Sequence, residues 1–434
     1  MKKLLIITYN WPPSAGAGVQ RWLKFSKYLK EFGWEPVIYT PLNPEYPGED
    51  PSLSADVPED IVVLKTKIWE PYRYYKFVTG KKPGEKVQAG FLSEHKKPGK
   101  IEKASAWLRG NLFIPDARKF WIKPSVKFLT DWLNKNPVDA MVSNGPPHSM
   151  HLIAKGIKEA HDIPWLADFR DPWTQIDFYH RLRLSKKADR KHKALEKEVL
   201  AKADAVSTVS PHCAKGLREI EERHVEVVTN GYDPEDFKNI KPFDYDAFSI
   251  THLGSMNADR NPVALWKVLK ELVLENPFFR ENLKIRLIGK TDFSVTEHLK
   301  MNGLMDFTEK QDYLPHDQAL AEAGQSALLL LALNNTPNVM GIAPGKLYEY
   351  LALKRPILCI GPEAGDAASI ISETQSGYTA NFDNENKMRD ILLVWAKKFR
   401  ERKLFLENHS LKNYSRKVTT KKMAGILDGI VSEE

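Results

Sequence analysis

Cysteine is almost absent from this 434-residue chain. Only Cys213 and Cys359 occur, and no motif pairs them. A disulfide framework is therefore excluded, and a reducing, cytoplasmic compartment is expected. Long apolar runs are missing as well. The longest, ALLLLAL at 327–333, falls far short of the roughly 20 residues a membrane-spanning helix needs. The start, MKKLLIITYNWPP, carries two lysines like a secretion signal, but its apolar part runs straight into Trp-Pro-Pro, so it reads as a buried first strand. No G-x-G-x-x-G, P-loop, G-x-S-x-G or zinc-ligand spacing appears, which leaves no fingerprint for a dinucleotide, a P-loop nucleotide, a serine hydrolase or a structural metal.

What is present is ordinary globular material: 42% hydrophobic and 28% charged residues, enough for two cores of roughly 200 residues each. The net charge of +8 is unevenly spread. Lysine and arginine crowd 73–127, in KKPGEK, HKKPGK and DARKFWIKPS, among Tyr74, Tyr75, Phe77, Trp107, Phe113, Phe120 and Trp121. Such a mixture suits an anionic membrane face or a nucleic acid, or is simply a solvated lysine-rich loop. No nucleic-acid motif accompanies it, so the membrane ranks above nucleic acid, and no nucleic-acid partner is expected.

The pattern along the chain is strand, helix, strand. After KLLIITY comes the small-residue loop of TYNWPPSAGAGVQR, and then Val19, Trp22, Phe25, Leu29 and Phe32 recur at helical spacing, with Arg21, Lys24, Lys27 and Lys30 off the stripe. Strands are expected at 36–40, 61–65, 139–143, 164–169, 205–210 and 225–230, with helices at 149–160, 185–203 and 211–222. The span 67–130 breaks the rhythm and reads as an insertion. The alternation restarts after a polar linker at 236–247. Domains are expected at 1–235 and 248–386, followed by helices over 387–434 that return to the first half. Strands alternating with helices imply α/β architecture, two doubly wound parallel sheets.

Ligands of such sheets bind beyond the carboxyl ends of the strands. There Gly16 and Gly18 allow close approach to the backbone, and the amides opening the next helix face an anion. In the second half, GKLYEYLALKRPI places Lys346 in a first helical turn and Glu349 three residues on, on the same face. A cation beside free amides suits a diphosphate, and a carboxylate one turn deeper suits a ribose diol. A plain surface ion pair is the alternative. In ADFRDPW, Arg170 cannot act as a base but can orient a sugar or phosphate, whereas Asp171 or Asp168 can accept a proton. A structural Arg-Asp pair is the alternative there. HSMH at 148–151 is expected to be a surface helix start, and His316 in YLPHDQAL a helix cap.

Taken together, PPSAGAGVQRWLKFSKYL, PWLADFRDPW, ADAVSTVS, NGYD, HLGSMNADRNP, KIRLIG and GKLYEYLALKRPI resemble the retaining family-four glycosyltransferases of GT-B fold. The resemblance spans nearly the whole chain. It implies two Rossmann-like domains with an inter-domain cleft, and transfer of a sugar from a UDP- or GDP-sugar to a glycan or lipid-linked acceptor, with no cofactor and no metal, in surface polysaccharide synthesis. By the same resemblance Glu349 holds the donor ribose, Arg260 meets the pyrophosphate, and Gly254, Ser255, Gly345, Lys346 and Leu347 line the donor. The family often has arginine where Ser255 stands and glutamate where Gly341 stands. Peripheral attachment to the inner membrane face is expected. Rival readings are a nucleotide-sugar epimerase or hydrolase, and a non-catalytic nucleotide-sugar or polysaccharide-binding protein.

Overall fold

The computed structural model describes residues 1–46, 48–71, 107–108, 110–238, 240–406 and 410–432. KKPGEK and HKKPGK lie outside the described residues. Two compact units are present: one runs to Asn230 and takes in the chain from Arg416 onward, the other spans Gly231–Ser415.

The first unit is built on a seven-stranded sheet. Its strands are β1 (Lys2–Ile7), β2 (Trp34–Pro41), β3 (Val62–Thr66), β4 (Ala140–Gly145), β5 (Trp165–Phe169), β6 (Ala205–Thr208) and β7 (Glu226–Val227). They lie in the order β3-β2-β1-β4-β5-β6-β7, all parallel. Leu4 to Ile7 are uninterrupted apolar residues because β1 is central: β2 and β4 pair with its two edges and helices cover both faces, so every side chain is buried. The strand expected at 225–230 shrinks to two residues, since β6 pairs with it only at Glu226 and Val227.

Helix Ala17–Tyr28 follows the predicted stripe, and Val19, Trp22 and Phe25 have no exposed surface. Arg21 and Lys24 are buried too, contrary to their place off that stripe. Each has an acidic partner: Lys24 Nζ lies 2.7 Å from Asp56. Part of the supposed insertion belongs to the core. Helix Lys119–Leu133 stacks Trp121 on Tyr39 with ring centroids 4.9 Å apart, and the Tyr39 hydroxyl donates to Ser125 Oγ at 2.8 Å. The last helix, Arg416–Ser432, buries Met423, Ala424 and Leu427 in the cluster that holds Trp22 and Trp34, and Asp428 accepts from Trp34 Nε1 at 3.1 Å.

The second unit carries β8 (Phe248–Leu253), β9 (Leu283–Ile288), β10 (Thr308–Gln311), β11 (Leu328–Ala332), β12 (Ile357–Ile360) and β13 (Gly377–Ala380). The order is β10-β9-β8-β11-β12-β13, again parallel. The polar run TEKQ of β10 and the short GYTA of β13 form the two edges, where half-exposed strands need no apolar run. In each sheet the order reverses once, between β1 and β4 and between β8 and β11. The loops leaving β1 and β8 therefore flank the switch points at which doubly wound sheets take ligands.

Candidate functional site

In the second unit the residues gather around the end of β8. Helix Gly345–Leu353 starts after Pro344 with no side-chain cap. From its first turn Lys346 reaches back: Nζ donates to the Leu253 carbonyl and lies 3.4 Å from His252 Nε2. His252 Nδ1 is 3.0 Å from the Leu330 carbonyl, which can only accept, so the ring proton sits on Nδ1 and Nε2 faces the lysine as an acceptor. Burial and the neighbouring Arg260 push the Lys346 amine well below its ordinary pKa, while Glu349 acts the other way. The Tyr350 hydroxyl accepts from the Leu253 N–H at 2.9 Å. One helix thus holds both backbone polar groups of Leu253.

Gly254 comes next, with φ +85°, and a Cβ there would stand 3.2 Å from Lys346 Nζ, so both backbone and neighbour favour glycine. Arg260 closes the short turn Ala258–Arg260 and donates from Nη1 to the Ser255 carbonyl at 2.8 Å. The structure therefore brings Gly254, Ser255, Arg260 and Lys346 together, with Gly345 opening the helix beside them. A lysine and an arginine converge there at a helix N-terminus, and a multiply charged anion arriving there would restore the charged form of the lysine.

Glu349 does not form the simple surface pair with Lys346. Its Oε1 lies 3.0 Å from His316 Nε2. The cap of helix His316–Gly324 is Pro315 without a side-chain bond, so His316 is not a cap but a partner of this carboxylate. The two residues are 33 positions apart, and no local spacing could have announced them. Leu347 departs from expectation: its side chain is fully buried with Tyr348, Leu351 and Cys359, so it packs the helix and offers a ligand only backbone. Gly341 is buried at the end of the turn Val339–Gly341.

In the first unit the loop after β1 meets the end of β5. Gly16, at φ +102°, precedes helix Ala17–Tyr28, and a Cβ on Gly18 would lie 2.6 Å from Arg170 Nη1. Glycine at 18 is what lets that guanidinium rest against the helix start. Arg170 donates from Nε and Nη2 to Asp171 Oδ2 at 3.0 and 2.9 Å, while its buried Nη1 has no acceptor among the described residues. Asp171 is half-exposed.

Asp168 is different, and a proton-accepting role for it does not fit. It is fully buried and accepts from Arg21 Nε and Nη2 at 2.8 and 2.9 Å, from Trp22 Nε1 at 2.8 Å and from Ser207 Oγ at 2.8 Å. Burial opposes its charge, but the Arg21 guanidinium and the donors outweigh burial and hold the carboxyl below its usual range. It is an anchor that ties β5, β6 and the first helix together.

HSMH also departs from expectation. His148 and His151 are buried, not on a surface helix start. His148 stacks on Trp173 with centroids 4.7 Å apart and planes 3° apart, and His151 Nδ1 lies 2.8 Å from Ser143 Oγ. The DPWT turn is fixed from below by buried Glu196, which accepts from the Trp173 and Thr174 amides at 3.2 Å. Trp173 Nε1 donates to His192 Nδ1 at 3.0 Å, so His192 carries its proton on Nε2, toward the Gly110 carbonyl. These supports come from three separate elements and leave no mark in the local sequence.

Residues 93–236 match the model of Glycosyltransferase Family 4. No curated protein sequence matches the chain. Among solved structures, sucrose-phosphate synthase from Thermosynechococcus elongatus is similar over 100% of both chains, at 12% identity and a TM-score of 0.63. Anabaena HepE in complex with UDP-glucose is similar over 100% of this chain and 98% of its own, at 11% identity and a TM-score of 0.58. An S. aureus TarM variant in complex with fondaparinux, alpha-GlcNAc-glycerol and UDP is similar over 99% of this chain and 100% of its own, at 11% identity and a TM-score of 0.59. At such identities the likeness establishes a fold, and the sequence match over 93–236 adds a likeness to a glycosyltransferase family in the first unit. The chain has the GT-B fold, and over residues 93–236 its sequence is similar to Glycosyltransferase Family 4.

Proposed function

We propose that this protein moves a sugar from a nucleoside-diphosphate sugar to a glycan or lipid-linked acceptor, with retention at the transferred carbon. The observation that carries the reading is the convergence of Lys346 and Arg260 on Gly254 at the start of helix Gly345–Leu353, with Glu349 one turn deeper. The donor diphosphate would lie on the two cations and the helix amides, and Glu349, oriented by His316, would accept from the ribose hydroxyls. HepE with UDP-glucose and TarM with UDP favour uridine as the base.

Chemically, the bond from the sugar's anomeric carbon to phosphate breaks and a bond from the same carbon to the acceptor oxygen forms on the same face. The acceptor proton passes to the departing phosphate oxygen. The two cations offset the charge that builds on that leaving group, so the reaction needs no divalent ion under this reading. Arg170, with Nη1 beside Gly18, would orient the sugar or an acceptor phosphate, and Asp171 would hold Arg170 in place.

The lipid-linked acceptor is supported by exposed Trp69, Trp107, Leu108, Leu112 and Phe120 in the first unit, with Lys119 lying over the rings of Phe113 and Phe120. Apolar rings rimmed by cations suit an anionic membrane face. No described helix is long and apolar enough to cross a membrane. The enzyme would work as a peripheral protein on the cytoplasmic side, in surface polysaccharide synthesis.

The deciding experiment incubates the protein with UDP- and GDP-sugars and a chelator, and follows nucleotide release with and without glycan and lipid-linked acceptors. Release that depends on an acceptor and persists under chelation is expected. Equal release without any acceptor would make it a hydrolase, conversion of the donor sugar without release an epimerase, and binding with neither a non-catalytic receptor.

A further inference from the structure

The second unit holds a cavity of about 590 Å³ that none of the donor-side residues lines. It lies against edge strand β13, three strands from β8 in the sheet order, which is ~14 Å at the usual strand spacing. Its walls come from helix Asp366–Glu373, from helix Glu385–Arg400 and from residues 405–406. Three aromatic residues face it. Tyr378 and Phe405 are 45% and 59% exposed, unusual for large rings, and Trp395 is buried, its ring centroid 5.8 Å from that of Tyr378. The Trp395 indole Nε1 is buried and donates to no acceptor among the described residues. Leaving such a donor unmet costs about 1–3 kcal/mol, so the donor calls for an explanation.

The rest of the lining is polar and mixed in charge. Ser372 and Gln375 supply a hydroxyl and an amide, Lys387 pairs with Glu363 at 2.6 Å, and Lys398 lies over the Trp395 ring at 4.4 Å. A phosphate would demand a cluster of one sign, and an acyl chain a lining without hydroxyls and ions. Flat rings beside scattered donors and acceptors match a pyranose, whose C–H face packs on an aromatic ring while its rim of hydroxyls hydrogen-bonds. We propose that this cavity is a carbohydrate subsite, distinct from the donor site, that holds one or two sugar rings of a glycan chain. The inference rests on the reading of the protein as an enzyme with a glycan acceptor. The cavity would keep hold of the polymer while its growing end is elsewhere.

The test uses the full chain with maltotriose and chitotriose as probes, read by saturation-transfer NMR and by tryptophan emission. Saturable binding of at least one probe is expected. Tyr378→Ala, Ser372→Trp and Trp395→Phe should each weaken it by about tenfold, the loss of one ring contact or hydrogen bond. Glu349→Ala should leave it unchanged. Absence of saturable binding of either trisaccharide, or binding kept in all three cavity variants, would overturn the proposal. Binding with the expected pattern in a protein that transfers no sugar would uphold the cavity and overturn the transferase reading instead.

Discussion

At the scale of single residues, the donor-side chemistry turns on where Lys346 and Glu349 point. Both were legible in GKLYEY, because a cation and a carboxylate three apart in a first helical turn form a recognisable spacing. Their actual partners, His252 and His316, were not, since tertiary folding alone brings them near. Replacing Lys346 with methionine keeps the packing and removes the charge, and should lower kcat/KM by about a hundredfold, as loss of a preorganised charge at a leaving group does. Steady-state kinetics checks this, and a variant with unchanged kcat/KM would remove the amine from the reaction. Asp168 belongs to a different class. Asp168→Asn leaves the Arg21 guanidinium buried without its counter-charge and should cost about 3–5 kcal/mol of stability, measurable by denaturant unfolding. A loss below 1 kcal/mol, roughly what an exposed pair contributes, would contradict the anchoring role.

At the scale of elements, the readable parts are those with a strong apolar pattern: β1, β5, the helix after the glycine loop and helix Gly345–Leu353. Edge strands β10 and β13 escaped notice because a strand that meets water on one edge tolerates TEKQ or begins with glycine. Arg21 and Lys24 misled for a related reason, since a charge off the apolar stripe looks solvated until its acidic partner arrives from another element. The helix Arg416–Ser432 offers a direct experiment. It lies far along the chain yet closes the core that contains Trp22 and Trp34. Asp428→Ala removes the acceptor of the Trp34 indole and should cost about 1 kcal/mol, whereas truncation at Ser415 should expose the core and give a chain that binds a hydrophobic dye and melts without a cooperative transition. A truncated chain that melts as sharply as the intact one would show the helix to be an accessory.

At the scale of the whole molecule, buried histidines in both units make stability depend on pH. Burial depresses His148, His151, His192 and His252, His151 to about 3 from the usual 6.5. Below pH 6.5 the unfolded chain takes up these protons while the folded chain does not. Stability should therefore be complete above that pH and fall as pH drops toward the folded values, by up to about 1.4 kcal/mol per pH unit for each group. Glu70 and Glu196, pushed up by burial, work in the opposite direction but are two against four. Calorimetric unfolding near pH 6 in two buffers of different ionisation enthalpy should reveal net proton uptake, and an absence of uptake would mean that water reaches these rings. The first-half match to a glycosyltransferase family and the second-half GKLYEY motif were both open to reading from the chain. Which histidines are dry was not, because dryness is a property of the finished fold.

The grip of one helix on Leu253 carries a further consequence. An ammonium group that gives one N–H to a carbonyl keeps others for a phosphate, while the tyrosine hydroxyl keeps the neighbouring N–H in hand. Substrate arrival would then pull on the carbonyl end of a peptide plane whose other end, the Gly254 N–H, donates to the Ile288 carbonyl at 2.8 Å. The amide resonance of Gly254, which shares that plane, becomes a built-in gauge of occupancy.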